Sequence, residues 1–490
     1  MPQFYTEEEA VTAIRKLISQ KMLQFARRTA HEALREYSDS RQIRYLNAFI
    51  SSELKDYATA SVLLEQLNNE DPGKIEILKS LINTWTGLGE MNKAIGYNNN
   101  LEELTGRKNQ AILTNADIYE RNNKVEKADE ELAKLPSNIL EQILNINIRA
   151  RVLISKKEYE QAVDLILKYE DKLPELEELS QITAFFMLTK AYDKLGEYDK
   201  AWEAAAKAHS LSTFPFDIDN YFKQFAEVRE FMSREIVEAL VEGPTTKVEP
   251  LFIVGNPRSG TSLLEQIISM HPDVENCGEM SIGMTMQLDI LPLTDSFHAW
   301  PNNLVDIRAD DAAKLAELYL EAVEYSRNGE RVMSNKALNL PIQVGFLSKV
   351  LPSSRAIMLH RHPLDNAVSC YTTNLVAAGH PYTNNLEHLG KVWIERKKMT
   401  DMWMEILSIP VMELHYENLV ANQREETERL IKFLDLPWEE DCMQFHKSKR
   451  VAKTISYDQV NKKMYKTSSG RWKNYEKHLG PLMDIVSDYI

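Results

Sequence analysis

Cysteine is nearly absent: Cys277, Cys370 and Cys442 are the three in 490 residues, and no two form a CxxC pair. So few cannot build a disulfide framework, and their scarcity suits a reducing compartment. No apolar run reaches the roughly 18 residues that a membrane span needs. The start, MPQFYTEEEAVTAIRK, has no basic segment leading into an apolar stretch. These absences point to the cytoplasm. Basic charge is also in deficit, with a net charge of −15. That argues against a general nucleic-acid binder but leaves room for a local basic pocket that takes an anion.

Glycine is scarce in the first part of the chain, which reads as helix after helix up to about residue 210. Alanines recur at Ala26, Ala60, Ala94, Ala128 and Ala162, each 34 residues after the last, and Ala201 follows after 39. Three positions before each stands an apolar residue: Leu23, Tyr57, Met91, Val125, Tyr159 and Tyr198. A period of 34 is the length of a helix–turn–helix unit that stacks on its neighbours. The alanine belongs where two helices cross closely, and its i−3 partner lies on the same face. Pro72, Pro136 and Pro174 fall between units. The pattern resembles the tetratricopeptide repeat, which implies a curved solenoid that binds partners and seldom performs chemistry.

From residue 250 the grammar changes to short apolar runs alternating with helices. EPLFIVG (249–255), RVMSNK (331–336), SRAIMLHR (354–361) and IPVMELHY (409–416) read as buried strands of a parallel sheet. The expected organisation is an α-helical solenoid over 1–210, a helical connector over 211–249 and an α/β domain over 250–490. Ligands of such sheets sit beyond the carboxyl ends of the strands.

FIVGNPRSGTSLLEQI, residues 252–267, has the outline of a phosphate loop with glycines at 255 and 260. The lysine that grips a triphosphate is missing: Thr261 stands in its place, followed by Ser262. Backbone N–H groups and the helix N-terminus can still hold an anion, and Thr261 or Ser262 can cap the helix. Arg258, inside the loop, can take two oxygens of one compact anionic group. In LHRHPLDNAVSCY, Arg361 lies at a strand end and Ser369 one helical turn or so beyond Pro363 and Asp365. A cation and a hydroxyl placed so can clamp a second phosphate. Two phosphate sites imply a nucleoside phosphorylated at both ends.

GNPRSGTS, the Arg361–Ser369 spacing and YKTSSGRWKN together resemble the sulfotransferases, which use 3′-phosphoadenosine 5′-phosphosulfate. The likeness spans residues 250–482 and is nearest to bacterial proteins that join tetratricopeptide repeats to a sulfotransferase domain. CGE at 277–279, NK at 335–336, YENLV at 416–420 and SYDQV followed by RW are similar to protein-tyrosine sulfotransferases.

That resemblance implies Glu279 as general base, with His271 as a second candidate. It implies Arg258 and Lys336 as cations around the sulfuryl group, and Ser456 near its oxygens. Ser259, Gly260, Thr261 and Ser262 would cradle the 5′ group with Arg258; Arg361 and Ser369 would hold the 3′ phosphate, and Tyr416 the adenine. Lys466 and Arg471 align with basic residues near the 3′ phosphate, although the motif opens here as Tyr465, Lys466 and Thr467 instead of arginine, lysine and glycine. Plainer roles stand beside these: a strand-end surface lysine for Lys336, a turn-capping serine for Ser456, a packed aromatic for Tyr416 and a helix end for His271. His360 and His362 lack the acidic or cysteine neighbours of a metal site, so no metal is expected.

The reaction implied is sulfuryl transfer to an acceptor hydroxyl, releasing adenosine 3′,5′-bisphosphate. A tyrosine phenol of a peptide or protein is the acceptor the resemblance favours, and the repeats would bind that substrate or a separate partner. Transfer to a carbohydrate or small-molecule hydroxyl stays open, as do a P-loop ATPase or kinase and a non-catalytic repeat adaptor.

Overall fold

In the computed structural model, residues 6–20, 22–324, 327, 329–376, 379–447, 464 and 468–490 are described. The first part is a stack of antiparallel helix pairs, beginning with Glu7–Ser19 and Leu23–Glu36 and ending with Glu178–Leu195 and Tyr198–Ser210. In all six pairs the second helix starts at the apolar residue of the repeat: Leu23, Tyr57, Met91, Val125, Tyr159 and Tyr198. The six repeat alanines are fully buried, as expected where helix axes approach too closely for a larger side chain. Five of these second helices are entered through a left-handed residue two positions earlier. Lys55, Gly89, Asn123, Lys157 and Gly196 have φ of 62, 79, 56, 66 and 78°. Glycine and asparagine adopt that conformation readily; lysine does not.

The stretch expected as a connector is part of the second half's packing. Its helices Ile218–Phe231 and Arg234–Ala239 place Phe225, Val228, Met232 and Val237 in the same core as Phe252, Val254 and Met358 of the sheet. The Gly243 N–H donates to the Lys349 carbonyl at 2.8 Å, fixing the chain before it enters the first strand.

Among the described residues the sheet has five parallel strands: β1 (Glu249–Gly255), β2 (Val274–Asn276), β3 (Val332–Asn335), β4 (Arg355–His360) and β5 (Val411–His415). They lie in the order β2-β3-β1-β4-β5. Register pairs Phe252 with Asn335 on one side of β1 and Gly255 with Leu359 on the other. β1, β3 and β4 are buried on both faces, hence their unbroken apolar runs, while the edge strand β5 alternates buried and exposed residues. β2 is the strand not anticipated; three residues are too short to show a period. The chain crosses from β3 over β1 to β4, so the carboxyl ends of these central strands form the switch point where such sheets take ligands.

The two halves share a hydrophobic core. Trp202, from the last repeat helix, stacks on Tyr371 with ring centroids 4.3 Å apart and on His478 at 5.0 Å. His209 Nε2 bonds the Tyr371 carbonyl at 2.9 Å. No helix among the described residues is long and apolar enough to cross a membrane.

Candidate active site

β1 delivers the glycine loop at its carboxyl end, and the helix Thr261–Ile268 follows. Gly260, at φ 103°, occupies the N-cap, with no side chain capping the first turn. This corrects the expectation of a Thr261 or Ser262 cap: the left-handed turn at Gly260 makes Thr261 the first helical residue. The N–H groups that open the helix are donors of the kind that suits an anion. A Cβ at Gly260 would lie 2.5 Å from Cδ2 of Tyr416, and one at Gly255 would lie 2.7 Å from Oγ of Ser259. Both glycines are therefore required by close approach. Arg258 also sits in the left-handed region, at φ 65°, a conformation that persists only when its surroundings enforce it.

Those surroundings come from the end of β4 and the helix Pro363–Tyr371. Arg361 Nη1 donates to the Arg258 carbonyl at 2.7 Å, and Asn366 Nδ2 to the Pro257 carbonyl at 2.8 Å. Arg258 Nε donates to Ser369 Oγ at 3.1 Å. The two arginines singled out in the sequence, together with Ser369, thus form one connected cluster. Tyr416 closes a side of it: its ring lies 4.6 Å from the Arg361 guanidinium carbon, and its hydroxyl is 2.6 Å from Ser468 Oγ. Arg361 Nη2 also donates to the Ser468 carbonyl at 2.8 Å. Tyr416 is thus a packed aromatic beside Arg361. A pocket at these strand ends is lined by residues that include Gly255, Asn256, His360, Arg361, Arg396 and Lys397, three of them cationic.

The second cluster is built on Lys336, immediately after β3. This lysine is 2% exposed, so a surface role is excluded. Its ammonium is 3.0 Å from Glu279 Oε1 and 3.9 Å from Glu265 Oε2. Glu265 belongs to the helix Thr261–Ile268, which therefore links the two clusters. Its Oε1 accepts from the Gly278 N–H at 3.1 Å and the Ser334 hydroxyl at 2.8 Å. Burial pushes Glu265 above the ordinary carboxylate range, offset only in part by Lys336 and these hydrogen bonds. Burial pushes Glu279 up as well, but Lys336, Lys55 and the Lys336 hydrogen bond outweigh it, and its carboxyl is held below the usual value. Glu279 is thus an ionised carboxylate at neutral pH, able to accept a proton.

Other expected residues fall elsewhere. Both ring nitrogens of His271 are engaged: Nε2 with the Pro437 carbonyl at 3.0 Å and Nδ1 with the Asp273 N–H at 3.1 Å. That leaves it as the packed helix end of the alternative reading. Arg471 is engaged with Asp193 of the repeats, at 2.5 Å from Nη2 to Oδ1, and the Tyr475 hydroxyl donates to the same oxygen at 2.7 Å. Its guanidinium is a joint between the halves, where sequence placed it near a phosphate. Ser456 and Lys466 lie outside the described residues. Ser259 is buried within the loop.

Four participants were not foreseen. Arg396, deeply buried, donates to the carbonyls of Gly255 at 3.0 Å and Leu338 at 2.9 Å, tying the ends of β1 and β3 together. Glu265, Ser468 and Lys55 complete the set. Glu265 stands in the quoted FIVGNPRSGTSLLEQI and Ser468 in YKTSSGRWKN, yet no spacing singles them out, and Arg396 and Lys55 lie in no quoted motif.

Residues 250–440, the part of the chain that carries the sheet, match the model of the Sulfotransferase family. A protein of Aquifex aeolicus described as uncharacterized is 26% identical over 468 residues, covering 93% of this chain and 56% of the relative. Protein-tyrosine sulfotransferase 2 of Gallus gallus is 26% identical over 215 residues, 41% of this chain and 56% of that one. The match thus spans little more than half the length of either relative. Among solved structures, a sulfotransferase domain from the curacin biosynthetic pathway is 16% identical with a TM-score of 0.36, covering 49% of this chain and 97% of that one.

Proposed function

We propose that the chain moves a sulfuryl group from 3′-phosphoadenosine 5′-phosphosulfate to an acceptor hydroxyl, most suitably a tyrosine phenol of a peptide or protein. One observation carries the reading. Arg258 and Arg361, far apart in sequence, meet at a phosphate loop that lacks the triphosphate lysine, with Ser369 joining them. The same residues fit the donor. Arg361 Nε and Ser259 Oγ are buried with no hydrogen-bond partner among the described residues, and an anion held between the loop and Arg361 would pair them.

In this reading Arg258 and the N–H groups of Ser259, Gly260, Thr261 and Ser262 hold the 5′ end. Arg361 and Ser369 hold the 3′ phosphate, beside Tyr416. The donor, when bound, supplies a sulfuryl group already attached to a phosphate leaving group. Glu279 takes the proton of the acceptor hydroxyl, and Lys336 orients that carboxylate and offers positive charge where negative charge develops. The tyrosine acceptor is supported by the likeness to protein-tyrosine sulfotransferases, and the repeats offer a surface on which a peptide can dock.

Transfer of radiolabelled sulfuryl groups to tyrosine peptides, sugars and small phenols tests this. Wild-type protein is expected to label a tyrosine peptide. Glu279→Gln should lower the rate by about 10²–10⁴-fold, the usual worth of a general base, while binding adenosine 3′,5′-bisphosphate unchanged. Labelling of sugars alone would replace the acceptor; equal rates in the two proteins would remove Glu279 from the chemistry.

A further inference from the structure

The repeats reach the candidate base at one point. Lys55 lies in the turn between helices Arg41–Glu53 and Tyr57–Glu70. Its ammonium is 3.6 Å from Glu279 Oε2, the carboxylate oxygen that Lys336 does not hold. One cation from each half of the molecule therefore brackets Glu279. The helix Leu23–Glu36 of the preceding unit is anchored beside the same site. Arg28 Nη1 donates to the Leu288 carbonyl at 3.1 Å, and Arg28 is 3.9 Å from Asp289, both on the helix Ile282–Thr294 that follows Glu279. Lys55 takes the left-handed position that Gly89, Asn123, Lys157 and Gly196 occupy in other units.

We propose that Lys55 is a positioning residue for Glu279, and that the repeats thereby build one wall of the acceptor site instead of serving only as a separate docking module. The proposal rests on Glu279 being the base. Titratable groups facing this carboxylate are Lys336 after β3, Glu265 on the loop helix, His380 ahead of the helix Leu386–Ile406, and Lys55 and Tyr57 from the repeats. Burial pushes His380 down to about 4, with Arg396 adding to the effect, so it is neutral in the working range. Removing Lys55 takes away a favourable charge from ionised Glu279, so the carboxyl must titrate at higher pH and the acid limb of activity must move up with it.

The test uses the full chain with Lys55→Met, Lys55→Arg as the rescuing variant and Lys157→Met as a control at the same turn position three units on. Glutamate carboxyls are titrated by carbon-13 NMR, with the Glu279 signal assigned by Glu279→Gln, and kcat/KM is followed against pH. Lys55→Met should raise both the Glu279 midpoint and the acid limb by about half a pH unit or more, a shift suited to a half-exposed partner. Lys55→Arg should restore them, and Lys157→Met should leave them in place. An unmoved midpoint in Lys55→Met, or an equal shift in Lys157→Met, overturns the proposal. Because the titration needs no turnover, a shift in a protein that transfers no sulfuryl group would reject the activity and keep the coupling. Turnover without a shift would reject the coupling alone.

Discussion

Gly260 shows how much of the site depends on single atoms. Its φ of 103° and the 2.5 Å separation that a Cβ would have from Tyr416 leave no room for any side chain. Gly260→Ala should therefore destabilise the protein by at least about 1–3 kcal/mol through backbone strain, read as a lower urea midpoint, and should weaken nucleotide binding by displacing Tyr416 from Arg361. Unchanged values would mean the loop is looser than described. Residues of this kind were legible in the sequence, because Gly255, Arg258, Gly260, Arg361 and Ser369 sit in short motifs whose spacing has a physical meaning. Lys55 and Glu265 were not. Lys55 meets Glu279 from a different half of the chain, and nothing local marks a lysine whose partner is set by tertiary packing. Arg471 shows the converse: a basic residue in a recognised motif whose guanidinium is engaged by Asp193.

At the scale of elements, the alanine period marked the helix pairs, because one small side chain per unit sets how closely helices cross; that the second helix of each pair starts three residues earlier is shown by the structure. Ala94 is fully buried at such a crossing. Ala94→Leu should cost about 1–3 kcal/mol by overpacking, whereas the same change at an exposed position of that helix should cost little. Thermal or urea unfolding of the two variants measures the contrast, and equal stability would show that the crossing can open. The central strands were legible because strands buried on both faces are unbroken apolar runs. β2 was not, being three residues long. The loop helix start was misplaced by one residue, since hydroxyls at 261 and 262 resemble caps while the turn at Gly260 does that work through backbone conformation.

At the scale of the whole molecule, the solenoid and the sheet domain are joined at both ends of the repeat stack. The last unit contributes Trp202, His209 and Asp193 to contacts with Tyr371, His478 and Arg471; the first two contribute Arg28 and Lys55 beside the helix that follows Glu279. Composition could not reveal this, because a sequence period reports contacts between neighbouring units and is silent on what the finished stack leans against. The proposed function requires one pocket that holds a nucleotide by two phosphates without a triphosphate lysine. Calorimetry comparing adenosine 3′,5′-bisphosphate, adenosine 5′-monophosphate and magnesium ATP on wild type and Arg361→Ala tests it most directly. Wild type should bind the bisphosphate at least about tenfold more tightly than the monophosphate, a difference of roughly 1.4 kcal/mol or more. Arg361→Ala should erase that preference. Tighter binding of magnesium ATP, or a bisphosphate preference that survives Arg361→Ala, would contradict it.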